Sequence, residues 1–198
     1  IERQILFLKK EILLLKEQCP PEAFDAEAVE DAVQRTFQRV LESGVWKIQV
    51  VDLNKGQEYV FMPFRHWTVK DLPEQRPDIL PPHREPGPER VWVSDTQIKP
   101  HGIGLFLGTP LQGENPPFLL FHLNIAWFLN PFLRDIRSGK TGYAWLIDGK
   151  GNFLYHPNTD FIGKSALEIR EEAYQGIPLG MINFIQREKM LEGQAGKG

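Results

Sequence analysis

Eleven of the chain's 16 prolines fall between Pro63 and Pro117, and they are densest from Leu72 to Pro88. Proline removes a backbone N–H and fixes φ, so regular strands cannot run through that stretch and a long irregular excursion is expected there. Periodic segments lie on either side of it. Ile5, Leu8, Ile12 and Leu15 recur at steps of three, four and three, with Leu6 and Leu13 widening the stripe, which is the signature of an amphipathic helix. Such a stripe either covers the chain's own core or pairs with a second copy, and two heptads do not decide between them. Pro20 and Pro21 interrupt it. Helical spacing then resumes with Val29, Ala32, Val33, Phe37, Val40 and Leu41, and Gly44 is placed to end the helix in a left-handed cap.

After Gly44 the period drops from 3.6 to 2. Trp46, Ile48 and Val50 alternate with Lys47 and Gln49, and Tyr59 to Met62 follow a turn-rich Asp52-Leu53-Asn54-Lys55-Gly56, so a hairpin is expected. Further strand-like runs are Arg90 to Thr96, Gly104 to Pro110 and Phe118 to Ala126, the last passing into a short helix around Trp127 to Arg137. A second hairpin is written as Gly142 to Asp148, a Gly149-Lys150-Gly151 turn, and Asn152 to His156. Its acid, then Lys-Gly, echoes the first turn. Asp and Gly favour such turns for local reasons, and the alternative is two copies of one module.

Composition narrows the class. Hydrophobic residues make up 41% and charged residues 25% of 198, with a net charge of -3. That is a globular composition, and it excludes a nucleic-acid binder that works by neutralising phosphates. The single Cys19 offers neither a disulfide nor a thiolate metal site. The most apolar run, Phe118 to Leu133, contains His122, Asn124, Asn130 and Pro131 and falls short of the roughly 20 residues of a membrane span. The chain starts at Ile1 and stops in a Gly-rich run, so it reads as a piece of something larger.

Enzyme signatures fail on inspection. Ser138-Gly139-Lys140-Thr141 resembles the end of a phosphate-binding loop, but Arg134 stands where its first glycine belongs. Gly102-Ile103-Gly104 lacks the third glycine of a dinucleotide fingerprint. The five histidines show no paired spacing, no nucleophile elbow occurs, and neither catalysis nor a cofactor is expected of these residues. A sheet with an aromatic loop layered over it can instead enclose a small molecule. Candidate walls are Tyr59, Trp67, Trp92, Phe106 and Phe121, and candidate anchors are Arg84, Ser94, Asp95 and Asn124. Arg84 presents the planar fork that suits a carboxylate. The plainer reading is that the aromatics fill the core and Arg84 is a solvated loop residue.

Ile136 to Pro157, continuing through Asp160-Phe161-Ile162-Gly163-Lys164-Ser165, resembles the pattern of Cache domains: a Gly-Tyr strand, an Asp-Gly turn, a second strand closing in His-Pro, then Ile-Gly-Lys. Val91 to Asp95, Leu107 to Leu111 and Leu120 to Asn124 are similar to the third, fourth and fifth strands of the same PAS-like sensor fold. The resemblance implies an α+β architecture, with a long N-terminal helical segment, an antiparallel five-stranded sheet and part of a second PAS-like module. It divides the chain into a helical stalk (1–44), a membrane-distal module (45–133) and the start of a second, truncated module (134–198). It further implies the periplasmic or extracellular part of a bacterial membrane receptor, a sensor histidine kinase foremost, flanked by two membrane helices. Its partners would be a small ligand, with a carboxylate favoured by Arg84, and a second copy through the N-terminal helix. A module that only dimerises or docks a protein is the other reading.

Overall fold

The computed structural model describes residues 1–20, 24–73, 91–99, 102–113, 115–136, 142–173 and 180–192. The Pro-rich core of the excursion, including Arg84, lies outside them, as does the 138–141 run. The chain divides into two compact units, one formed by 1–97 with 104–128 and the other by 98–103 with 129–198.

The first unit is α+β. Helices α1 (Glu2–Lys16) and α2 (Ala26–Val40) lead into strands β1 (Val45–Asp52), β2 (Gln57–Phe61), β3 (Thr68–Asp71), β4 (Trp92–Val93), β5 (Gln97–Lys99), β6 (Gly102–Pro110) and β7 (Phe118–Asn124), of which residues 98–103 of β5 and β6 fall to the second unit. The strand order is β3-β2-β1-β7-β6-β4, with β5 paired to β6. The three runs matched to the third, fourth and fifth PAS-like strands thus lie side by side as β4, β6 and β7. The sheet exceeds the expected five strands. All four residues of β3 are exposed and mostly polar, so this edge strand carries no apolar alternation that a sequence reading could detect.

Local chemistry explains the element ends. Asp25 caps α2 by accepting from the N–H groups of Glu27 and Ala28 at 3.0 and 3.3 Å. Gly44 closes the helical region at φ +81°, as its position suggested. A Cβ there would stand 2.9 Å from the Phe128 nitrogen, so conformation and space both demand glycine. In the β1–β2 turn the Asp52 carboxylate accepts from the N–H groups of Asn54 and Lys55, each at 3.0 Å. In the second unit Asp148 does the same for Lys150 and Asn152 at 2.9 Å. The echo between the two turns is therefore one side-chain device used twice.

The core of the first unit lies between the helices and one face of the sheet. Phe24, just ahead of α2, meets Tyr59 at 5.0 Å and Phe61 at 6.4 Å between ring centroids. Leu8, Ile12, Leu15, Phe37, Val40, Ile48, Phe61 and Phe121 all have no exposed surface. The α1 stripe is therefore spent on the chain's own core, and α1 packs on α2 and β7. Leu8, Ile12 and Leu15 are therefore not available to a dimer seam, while Ile5 is half-buried. Cys19 is buried beside the Leu15 carbonyl, and burial pushes its thiol up to about 11, which keeps it protonated and unreactive.

The second unit contains α3 residues from Leu129 onward (α3 runs Ile125–Leu133), the hairpin β8 (Leu146–Ile147) and β9 (Phe153–Tyr155), α4 (Ala166–Ala173) and α5 (Gly180–Ile185). Among the described residues no helix is long and apolar enough to cross a membrane.

Candidate functional site

Residues directly opposite one another in an antiparallel sheet project to the same face. Phe121 lies opposite Ile48 and Leu107, and Tyr59 lies opposite Val50. Both aromatic side chains therefore point to the helix face, where Trp67 also meets Tyr59 at 6.0 Å. The opposite face carries a row running Trp92, Gly108, Leu120, Gln49 and Val60 across five strands. Phe106, His122 and Lys47 form the next row, and Phe118, Val51 and Glu58 the row on the other side. Of the expected wall and anchor residues, register brings Trp92, Phe106 and Asn124 to this second face. It sends Tyr59, Trp67 and Phe121 to the other.

Two expected anchors are occupied by backbone. The Ser94 hydroxyl accepts from the Phe106 N–H and donates to the Asp95 carbonyl, both at 2.9 Å. Asn124 caps α3 by accepting from the Trp127 N–H at 3.1 Å. Asp95 is exposed in the connection to β5.

What the second face does hold is a polar strip. Gln49 is 5% exposed and His122 6%. The Gln49 Oε1 accepts from His122 Nε2 at 2.7 Å and from Lys47 Nζ at 3.1 Å, while its Nε2 donates to the Glu58 carboxylate at 2.5 Å. Only this orientation of the amide puts its acceptor toward the ammonium and its donor toward the carboxylate, and it assigns the proton of His122 to Nε2. Gln49 thus stands between a cation and an anion at the centre of the sheet. A β-bulge between Val45 and Lys47 turns Trp46 toward this side. Its ring lies 6.5 Å from that of His122 and 5.7 Å from Lys47 Nζ.

Beyond the strip, Val51, Phe106 and Leu120 form an apolar floor against which Leu72, Trp92 and Phe118 pack. Trp92 lies flat on Gly108, where a Cβ would come within 2.3 Å of its ring. The Trp92 Nε1 is buried without a hydrogen-bond partner among the described residues. An unpaired buried donor is costly, so an acceptor supplied from outside the described residues would be strongly favoured here.

Lys47, Gln49, Glu58 and His122 were absent from the expected set. A signal was present: Lys47 and Gln49 sit on the polar phase of β1, and His122 interrupts the apolar run Phe118 to Leu123 of β7. That these phases coincide follows from pairing alone.

The second unit has its own buried titratable group. His156 is enclosed by Tyr143, Phe153 and Phe161, with ring centroids 5.1, 4.9 and 4.8 Å away. Its Nδ1 lies 3.0 Å from the Asn158 N–H and 3.2 Å from the Asn158 carbonyl. Burial lowers its pKa from 6.5, and the Asn158 backbone opposes this. The unfolded chain therefore binds more protons than the folded one below pH 6.5. The stability this group contributes is full above 6.5 and is lost as pH falls toward the lower folded value. Thermal melts from about pH 7.5 to 5 should show a descending slope that His156→Phe reduces; identical slopes would refute this assignment.

No family model and no curated protein matches this chain. Among solved structures it is similar to the ligand-binding domain of the Pseudomonas fluorescens chemoreceptor CtaA in complex with L-serine, at 21% identity and a TM-score of 0.47, over 86% of this chain and 71% of that one. It is also similar to the ligand-binding domain of the Pseudomonas aeruginosa amino-acid chemoreceptor PctB. With L-Arg bound, the figures are 20% identity and TM-score 0.43, over 82% and 68% of the two chains. With L-Gln bound they are 19% and 0.42, over 88% and 71%. These three similar structures are ligand-binding domains of Pseudomonas chemoreceptors, each in complex with an amino acid.

Proposed function

We propose that this chain is an extracytoplasmic sensing domain of a membrane receptor, and that the sheet face bearing Lys47, Gln49, His122 and Trp92 binds a small molecule with a carboxylate. The observation that carries this reading is the buried Trp92 N–H without a partner among the described residues, beside an apolar floor that also borders a half-buried cation–amide–anion strip. A few convergent polar groups in an aromatic surround are what a metabolite site needs. The carboxylate preference moves from Arg84 to Lys47 and the Trp92 donor. The parent chain is then a signalling receptor, a histidine kinase by the Cache resemblance, with the hairpin of the second unit belonging to a second module. Moving a two-state receptor from 1:99 to 99:1 takes about 5.5 kcal/mol of differential binding, within reach of a metabolite.

A thermal-shift and calorimetric screen of organic acids, amino acids and amines tests this. At least one carboxylate should raise the Tm of the wild type and bind Lys47→Met at least about tenfold more weakly. Absence of any binder up to about 10 mM would favour the non-sensing interaction module instead.

A further inference from the structure

The polar strip on the second sheet face has a sense and a length. Lys47 and Glu58 are both half-buried, and the buried Gln49 amide stands between them. It accepts from Lys47 Nζ at 3.1 Å and donates to the Glu58 carboxylate at 2.5 Å. Laid along the amide, these contacts set the cation and the anion about 6–8 Å apart. The stretch between them has apolar borders. Val60 and Leu120 lie opposite Gln49 on its two sides, and Val51 lies opposite Glu58. A molecule lying along β1 would therefore meet a positive end, an apolar middle and a negative end, in that order.

We propose that the ligand of this face is an ω-amino acid, with its carboxylate against Lys47, its ammonium against Glu58 and about three to five methylenes between them over Gln49. This rests on the reading of the face as a carboxylate site and narrows it. Charge selects the class. A dicarboxylate would bring its second anion to Glu58, and a diamine its second cation to Lys47, each against like charge. A plain carboxylate leaves Glu58 without a counter-charge from the ligand. An α-amino acid carries its two charges about 3 Å apart, too close together to reach both ends. Lys70, opposite Glu58 on β3, is exposed, so solvent and salt screen its effect on the ammonium position. The methylenes match the apolar borders, since a polar group placed there would be desolvated beside Val51, Val60 and Leu120.

Calorimetric titration of the whole chain with 5-aminopentanoate and four controls tests this. The controls are its isomer 2-aminopentanoate, pentanoate, glutarate and pentane-1,5-diamine, which change the charge spacing or the charge pattern at similar size. The ω-amino acid should bind at least about tenfold tighter than each control. Glu58→Gln keeps an acceptor for Gln49 Nε2 and removes the charge, so it should bring 5-aminopentanoate and pentanoate to within about threefold of each other. Equal or tighter binding of any control by the unaltered chain overturns the proposal, and so does an advantage over pentanoate that survives Glu58→Gln. If none of the five binds up to about 10 mM while another carboxylate does, the ω-amino acid is refuted and the carboxylate site stands. If no carboxylate binds at all, both fall. The ligand series on the unaltered chain decides the matter even if Glu58→Gln does not fold.

Discussion

Phe121→Ala is expected to lower the unfolding free energy by about 3–5 kcal/mol, the largest loss foreseen for a single substitution in this chain. Phe121 has no exposed surface and sits in the centre of β7, opposite Ile48 on one side and Leu107 on the other. The helices covering that face are anchored on the same sheet residues and cannot collapse into the vacated volume without losing their own contacts, so the cavity persists. Urea unfolding followed by circular dichroism measures the effect. The result also separates the two faces. Because Phe121 points away from the polar strip, the folded fraction of Phe121→Ala should bind a ligand of the second face with near-native affinity. A variant that stays fully stable but loses ligand binding would place Phe121 in the site and contradict the register.

Gly108→Val should act the other way, with a moderate cost in stability and a large cost in binding. Any Cβ at this position comes within 2.3 Å of the Trp92 ring, and the obstructing atoms belong to a rigid indole wedged against Phe118 at 5.7 Å. The ring must leave its seat, at about 1–3 kcal/mol for overpacking. With it goes the buried Nε1 donor and one wall of the floor formed by Val51, Phe106 and Leu120. Tryptophan emission should shift to longer wavelength, and affinity for the carboxylate found by the screen should fall by at least about tenfold. Retention of native emission and affinity would show that Trp92 neither rests on Gly108 nor contributes its N–H to the ligand.

These two substitutions mark the boundary of what the sequence makes legible. The hairpin turns, the Gly44 cap and both N-terminal helices could be read because each depends on neighbours within a few residues. Asp52 and Asp148 bond to N–H groups two to four positions on, and helical stripes repeat every three or four. The Phe118–Asn124 strand was legible as a strand, but not as to its faces. Phe118, Leu119, Leu120, Phe121 and Leu123 are apolar on both phases, so alternation cannot say which side meets the helices. That is why Tyr59, Trp67 and Phe121 were expected beside Trp92 and Phe106, and why register separates them.

The sequence by itself determined the class of fold, the order of its elements and the places where the chain must turn, because propensity, capping and turn chemistry act between close neighbours. It also marked one apolar stripe on α1, widened by Leu6 and Leu13, though not which of its residues would be buried. Only the tertiary structure decided that Leu8, Ile12 and Leu15 belong to the core, that Ser94 and Asn124 are spent on backbone, and that Gln49 meets His122 across 73 positions of chain. Such meetings are set by strand pairing, which sums many weak packing choices over the whole sheet and is not written in any local stretch of residues.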